Sequence, residues 1–141
     1  MSLSVDHTTT YDCNFFMSMR ALHTVNLHRF GNKNKTTMKR LVQLATIDGA
    51  RDLGFADKVG SLTPGKRADL ILIRTTDSNL SPVGDPYNAL VQLAQPSNVD
   101  TVVVDGRILK RGGKLAALDT PKVIAAARAA LAGVRERTNW R

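Results

Sequence analysis

Asp6 is the residue whose type and position most invite chemistry. It ends a short polar–apolar alternation, Ser2-Leu3-Ser4-Val5-Asp6, in which Leu3 and Val5 point one way. The spacing predicts a strand over 2–6, followed by a loop and a helix. Barrel enzymes place catalytic groups at such strand ends, where the backbone is fixed and the side chain projects toward the mouth formed by the loops. A carboxylate there can bind a metal ion or take a proton from a metal-bound water. On spacing alone, a strand-terminal Asp more commonly caps a turn, and both roles stay open. The histidines are His7, His23 and His28. His23 and His28 stand five apart, which does not stack them on one helix face. His23 therefore reads as a hydrogen-bonded packing residue and not as half of a metal pair. His7 adjoins Asp6, and it reads as a loop residue facing the same mouth, although neighbours on a strand point oppositely. Cys13 has no histidine at a recognisable spacing, so a thiol–imidazole pair is not indicated.

These residues need elements to hold them. Asp12 is the expected N-cap of a helix over 12–30, with Phe16, Met19, His23, Leu27 and Phe30 at spacings of three and four and Gly31 at its end. A second helix spans 37–53, capped by Thr36 or Thr37 and ended by Gly54. Gly49 interrupts it, so a break or close packing is expected near Ala45-Thr46. Pro64-Gly65 fits the centre of a type II turn. Ala68 to Arg74 reads as a continuous apolar strand buried on both faces. Residues 75–98 hold Pro82, Pro86 and Pro96 and read mostly as loop, with a short helix or extended piece at 87–94. Asp105-Gly106 signals a hairpin between 99–104 and 107–110, closed by Gly112-Gly113. Thr120 is the expected N-cap of a last helix over 120–137, with Pro121 in its first turn.

Composition narrows the classes. The chain has 141 residues with 43% hydrophobic and 23% charged, the balance of one globular domain and not of a disordered tail. Glu136 is the only Glu, so chemistry needing two glutamates is excluded. One cysteine excludes a disulfide framework. No stretch approaches the ~18 apolar residues of a membrane helix, and the opening residues do not have the form of a secretory signal. A lone Cys without a signal fits the cytoplasm. The net charge is +8, with basic clusters at Lys33, Lys35, Lys39, Arg40 and at Arg107, Lys110, Arg111, Lys114. Aromatics do not interleave with either cluster, so both read as solvated faces and not as a nucleic-acid surface.

The order of motifs carries more than any one of them. Ala45-Thr46-Ile47-Asp48-Gly49-Ala50 comes first, then Leu53-Gly54, then Asp57-Lys58-Val59-Gly60-Ser61-Leu62. Pro64-Gly65-Lys66-Arg67-Ala68-Asp69-Leu70 and Val102-Val103-Val104-Asp105-Gly106-Arg107 follow. Together they closely resemble the C-terminal end of metal-dependent amidohydrolases, in the branch of cytosine deaminases, chlorohydrolases and guanine deaminases. Residues 2–6, with Asp12 downstream, are similar to that group's last barrel strand and the helix after it. The resemblance covers residues 2–115 and is most specific from Ala45 to Leu70. It implies a hydrolase on a β/α barrel, with a small β-sandwich made from both chain ends and divalent metal, commonly zinc or iron. It carries the metal-binding aspartate at the end of the last barrel strand over to Asp6, which would bind metal and accept a proton from the attacking water. Pro64, Gly65, Lys66, Ala68 and Asp69 carry over to the turn and strand entering the sandwich, in a structural role.

The group's His-x-His and later histidines have no counterpart here, nor do its earlier barrel strands. A catalytic zinc site needs about three protein ligands, and Asp6 is one. The expected fold class is therefore α/β: the C-terminal fragment of a metal-dependent hydrolase β/α barrel plus part of the composite β-sandwich. Residues 1–56 would end the barrel, 57–115 would be the C-terminal part of the sandwich, and 116–141 a C-terminal helix. The expected function is hydrolysis of C–N or C–Cl bonds of cyclic nitrogenous compounds, for example deamination, by the longer parent enzyme. This chain alone is expected to be inactive and to hold no metal stably. Unpaired strand edges predict self-association or docking with the missing barrel portion. The expected ligand of the parent is a small-molecule substrate, with no nucleic acid and no membrane. The alternative is a non-catalytic basic α/β module that binds a protein partner or an acidic surface.

Overall fold

The computed structural model describes residues 1–6, 12–31, 36–116 and 118–138. Helix α1 spans Phe15–Phe30. Its N-cap is Asn14, whose side chain accepts the Met17 N–H at 3.2 Å. Asp12 is not the cap, because Asn14 is the residue placed to reach the amide three positions on. Gly31 ends α1 at φ 51°, donating its N–H to the Leu27 carbonyl. The predicted helix over 37–53 is two helices, α2 (Met38–Leu44) and α3 (Ile47–Asp52), broken at Ala45–Thr46 where expected. The Thr37 hydroxyl caps α2 by accepting the Arg40 N–H at 3.1 Å.

Strands β1 (Leu70–Ile73), β2 (Val99–Val104), β3 (Arg107–Arg111) and β4 (Lys114–Leu115) form one antiparallel sheet in the order β1-β2-β3-β4. Leu70 pairs with Val103 and Leu72 with Thr101. The β2–β3 turn has positive φ at Asp105 (50°) and Gly106 (75°), the conformation of a type I′ hairpin. The Asp69 carboxylate accepts the Asp105 N–H at 2.6 Å, and Gly106 N–H donates to the Ala68 carbonyl. Asp69 thus has a structural role, reaching from the residue before β1 to cap the hairpin turn. Pro64-Gly65 makes the expected turn, with Lys66 N–H donating to the Thr63 carbonyl and Gly65 at φ 91°. The Lys66 ammonium donates to the Ala56 and Val59 carbonyls.

Between β1 and β2, α4 (Pro86–Asn88) is capped by Asp85 and continues as a π-helical turn over Ala89–Leu93. Asn98 closes this loop against the sheet. It is 2% exposed. Its amide donates to Asp77 (2.7 Å) and Asn79 (3.0 Å) and accepts from Gln95 N–H (2.9 Å) and Asn79 (3.1 Å). Helix α5 (Thr120–Thr138) starts one residue earlier than a Thr120 cap allows. Asp119 caps it, accepting the Lys122 N–H.

Two expectations are corrected. Residues 2–6 form no strand: the described residues pair no strand with them, and instead Leu3 N–H donates to the Leu44 carbonyl at 3.0 Å. The Leu70–Ile73 run is not buried on both faces. Ile71 and Leu72 point to opposite sides and are 47% and 54% exposed, because no layer of the described residues closes over either. The core lies among the helices. Met19, Leu41, Leu44 and Val91 form one buried cluster, with Leu3 and Phe16 against it. Leu80, Ala89 and Ala94 form a second cluster beside Ile73.

Candidate functional site

Asp6 stands exposed at the end of the N-terminal segment, in the left-handed region at φ 62°. A non-glycine residue there is uncommon, though Asp tolerates it better than most. Its N–H donates to the Ser4 hydroxyl at 3.0 Å. Two features hold the segment upstream of it: the Leu3–Leu44 backbone bond and the packing of Leu3 on the helical core. His7 lies outside the described residues. His23 is half-buried on α1, with Nδ1 buried and not hydrogen-bonded, so it packs without the predicted bond at that atom. His28 and Cys13 are exposed.

Two adjoining apolar grooves lie against the sheet, both lined by Ile71 and Val102. One, of about 990 Å³, runs between α2, α3 and β1–β2, with Val42, Ala45, Leu53, Ile71 and Val102 in its walls. The other, of about 620 Å³, lies between α1 and the sheet, with Phe16, Met19, Ile73 and Val99. Asp6 lines neither of them. The mouth into which a strand-terminal Asp6 was expected to project is therefore not formed by the described residues.

Sequence reasoning missed a buried ion cluster at the bend between α2 and α3. Asp48, 4% exposed, takes Arg40 on one carboxylate oxygen and Arg51 on the other, each at 2.5 Å. The Asp48–Arg51 pair was readable as an i,i+3 helix pair. The Arg40 contact was not, since it exists only because the chain bends between α2 and α3. Arg40 is therefore not simply part of a solvated basic face. Lys39 of the same cluster lies over the Tyr87 ring, 6.0 Å from its centroid, and Lys33 and Lys35 lie outside the described residues.

The amidohydrolase family model matches residues 1–109. This chain belongs to the amidohydrolase family. It is 44% identical over 82 residues to a 5-methylthioadenosine/S-adenosylhomocysteine deaminase from Acetivibrio thermocellus, which covers 58% of this chain and 19% of the relative. Its fold matches a zinc-bound adenosine deaminase from Xanthomonas campestris with a TM-score of 0.82 and 26% identity, over 89% of this chain and 28% of that one. It also matches an atrazine chlorohydrolase from Arthrobacter aurescens complexed with zinc, with a TM-score of 0.66 and 26% identity, over 79% of this chain and 25% of that one. The chain thus spans about a fifth to a quarter of the length of such relatives.

Zinc in both solved neighbours supports a divalent metal in this family. The amidohydrolase residues described here do not make a complete site for one. Among them, no group of three His, Cys, Asp or Glu side chains is placed to hold a metal ion, whereas zinc takes three or four protein ligands in tetrahedral geometry. Among the described residues, no helix is long and apolar enough to cross a membrane.

Proposed function

We propose that these residues are the closing portion of a metal-dependent hydrolase that deaminates cyclic nitrogenous compounds of the nucleoside type, with C–Cl hydrolysis as the neighbouring chemistry. In this reading residues 1–56 end a β/α barrel, 57–115 belong to a β-sandwich, and 116–141 form a C-terminal helix. The observation that carries it is the match to deaminases over most of this chain but only a fifth to a quarter of theirs. The open faces of β1 and the two apolar grooves support it, since exposed apolar surface of this extent marks an interface.

Asp6 contributes one carboxylate to a metal centre whose other ligands lie elsewhere in the assembled enzyme. Its exposure and its position at the end of a segment resting on α2 suit a group presented to a partner surface. The enzyme is cytoplasmic, and the residues described here are inactive alone. They associate with the remaining barrel or, without it, with a second copy.

Metal analysis and light scattering of the purified chain test this together. The expected result is self-association with no stoichiometric zinc or iron. A compact monomer, or one tightly bound metal per chain, overturns the proposal. In the assembled enzyme, Asp6→Asn is expected to lower deaminase activity by at least about a hundredfold, with loss of bound metal.

A further inference from the structure

We propose that Asp48 is a positioning residue: its contacts with Arg40 and Arg51 set the corner between α2 and α3, and that corner holds the segment ending in Asp6. One carboxylate oxygen takes the guanidinium of each helix, so a single side chain spans the break. Backbone bonds continue across the break, with Thr46 N–H donating to the Gln43 carbonyl and Ala50 N–H to the Thr46 carbonyl, but they do not fix the angle of one helix to the other. Thr46, at the start of α3, makes no capping bond there, and its hydroxyl donates back into α2 at the Val42 carbonyl.

Both arms of the corner touch the N-terminal segment. Leu3 N–H donates to the carbonyl of Leu44, the last residue of α2. On α3, Asp52 takes the Met1 ammonium at 3.2 Å, and the Ser2 side chain is the first cause that holds its carboxyl below the usual range. Ser2 also lies against Gly49, its Cβ 3.9 Å from where a Gly49 side chain would begin. A change in the angle between the helices therefore moves the anchors of Ser2 and Leu3 apart. The ion triad is a poor device for stability alone, because desolvating the Asp48 carboxylate offsets much of the Coulombic gain. Its use here is to specify one arrangement of two short helices. The functional weight of this inference rests on the reading of Asp6 above; its geometry does not.

Backbone amide hydrogen exchange of this chain, read by NMR, tests it. In Asp48→Asn the Leu3 amide is expected to exchange about tenfold faster or more, while the β2 amides change by less than about twofold. Arg40→Gln and Arg51→Gln each remove one contact and are expected to give smaller increases at Leu3. Unchanged Leu3 exchange in Asp48→Asn overturns the inference. So does an increase matched in β2, which would be global loosening. Should Asp48→Asn fail to fold, the two arginine variants decide: no selective increase at Leu3 in either also overturns it. Failure of the Asp6 reading shows separately, as an Asp6→Asn enzyme that keeps its metal.

Discussion

The helical half of the molecule, residues 12–54, and the sheet half, residues 66–115, are built on different plans. The sheet half closes its polar groups locally. Asp69 holds the hairpin turn, Asn98 fills its hydrogen-bonding capacity, and Arg74 bonds Asp77 and the Ser97 carbonyl. The helical half is held by one small core that it shares with Val91 of the other half, and much of its apolar surface faces outward. On α1 alone, Met17, Val25, Leu27 and Phe30 are about half exposed or more. A half whose polar groups bond one another closes its polar side by itself. A half built on a wide apolar face needs another surface to complete it.

The sharpest way to break this contrast is to remove what little core the helical half has. Leu41 is fully buried between α1, α2 and Val91. Leu41→Ala is expected to cost ~3 kcal/mol, read as a lower urea midpoint, with the loss of protection greatest in α1 and α2. Gly60→Ala strikes the same half from its far side. A Cβ there would stand 2.7 Å from the Ala50 Cβ and 2.9 Å from the Ile47 Cα, at φ 87°. Overpacking and the left-handed backbone together predict a loss of ~2–3 kcal/mol. Equal loss of protection in the sheet after either change would show that the halves are one cooperative unit and end the contrast.

Asn98→Ala is the matching test on the sheet side. It removes the four bonds of a buried side chain, while the partners Asp77, Asn79 and Gln95 are half-buried or exposed and regain water, for ~1 kcal/mol. The loss is expected in the 75–98 loop and at the start of β2, not in α1.

The same division decides what the sequence made legible. The hairpin was readable because Asp105-Gly106 encodes its turn chemically; the helix break falls at Ala45-Thr46 as expected, although Gly49, from which it was inferred, sits inside α3. Those signals are local. The Asn98 network was not readable, since its partners Asp77, Asn79 and Gln95 acquire meaning only once the loop folds back on β2. Asp48 was quoted within a motif and its carboxylate overlooked, because its second arginine arrives across a bend. The strand expected over 2–6 failed for the converse reason. Alternation predicts a strand only where a partner is present, and the described residues pair none with it. The family was legible because motif order survives where individual contacts do not. Asp6 was singled out by its strand-end position and by that order, and among the described residues no group of metal-ligating side chains gathers with it.

The smallest expected effect is also the most selective for the sheet half. The Asp77 carboxyl is held below its ordinary value of 3.8 by the Arg74 guanidinium first and by the Asn98 amide second. A depressed folded-state value means the folded protein holds the ionised form more firmly than the unfolded chain does. Asp77 therefore contributes stability above the unfolded value, and that contribution fades as pH falls through the folded one. Asp52 is depressed as well, with the Ser2 hydroxyl as the leading cause, so the acid limb of the wild-type curve alone assigns nothing. Asp77→Asn separates the two. Its urea midpoint is expected below wild type at neutral pH, with the gap closing below pH 3.8. Asp52 titrates in the same window, but Asp52→Asn loosens Ser2 and the helical corner, not the 75–98 loop. A gap between wild type and Asp77→Asn that persists at the lowest pH would mean that Asp77 acts through packing, and the sheet half would lose its claim to be closed by charge-assisted bonds.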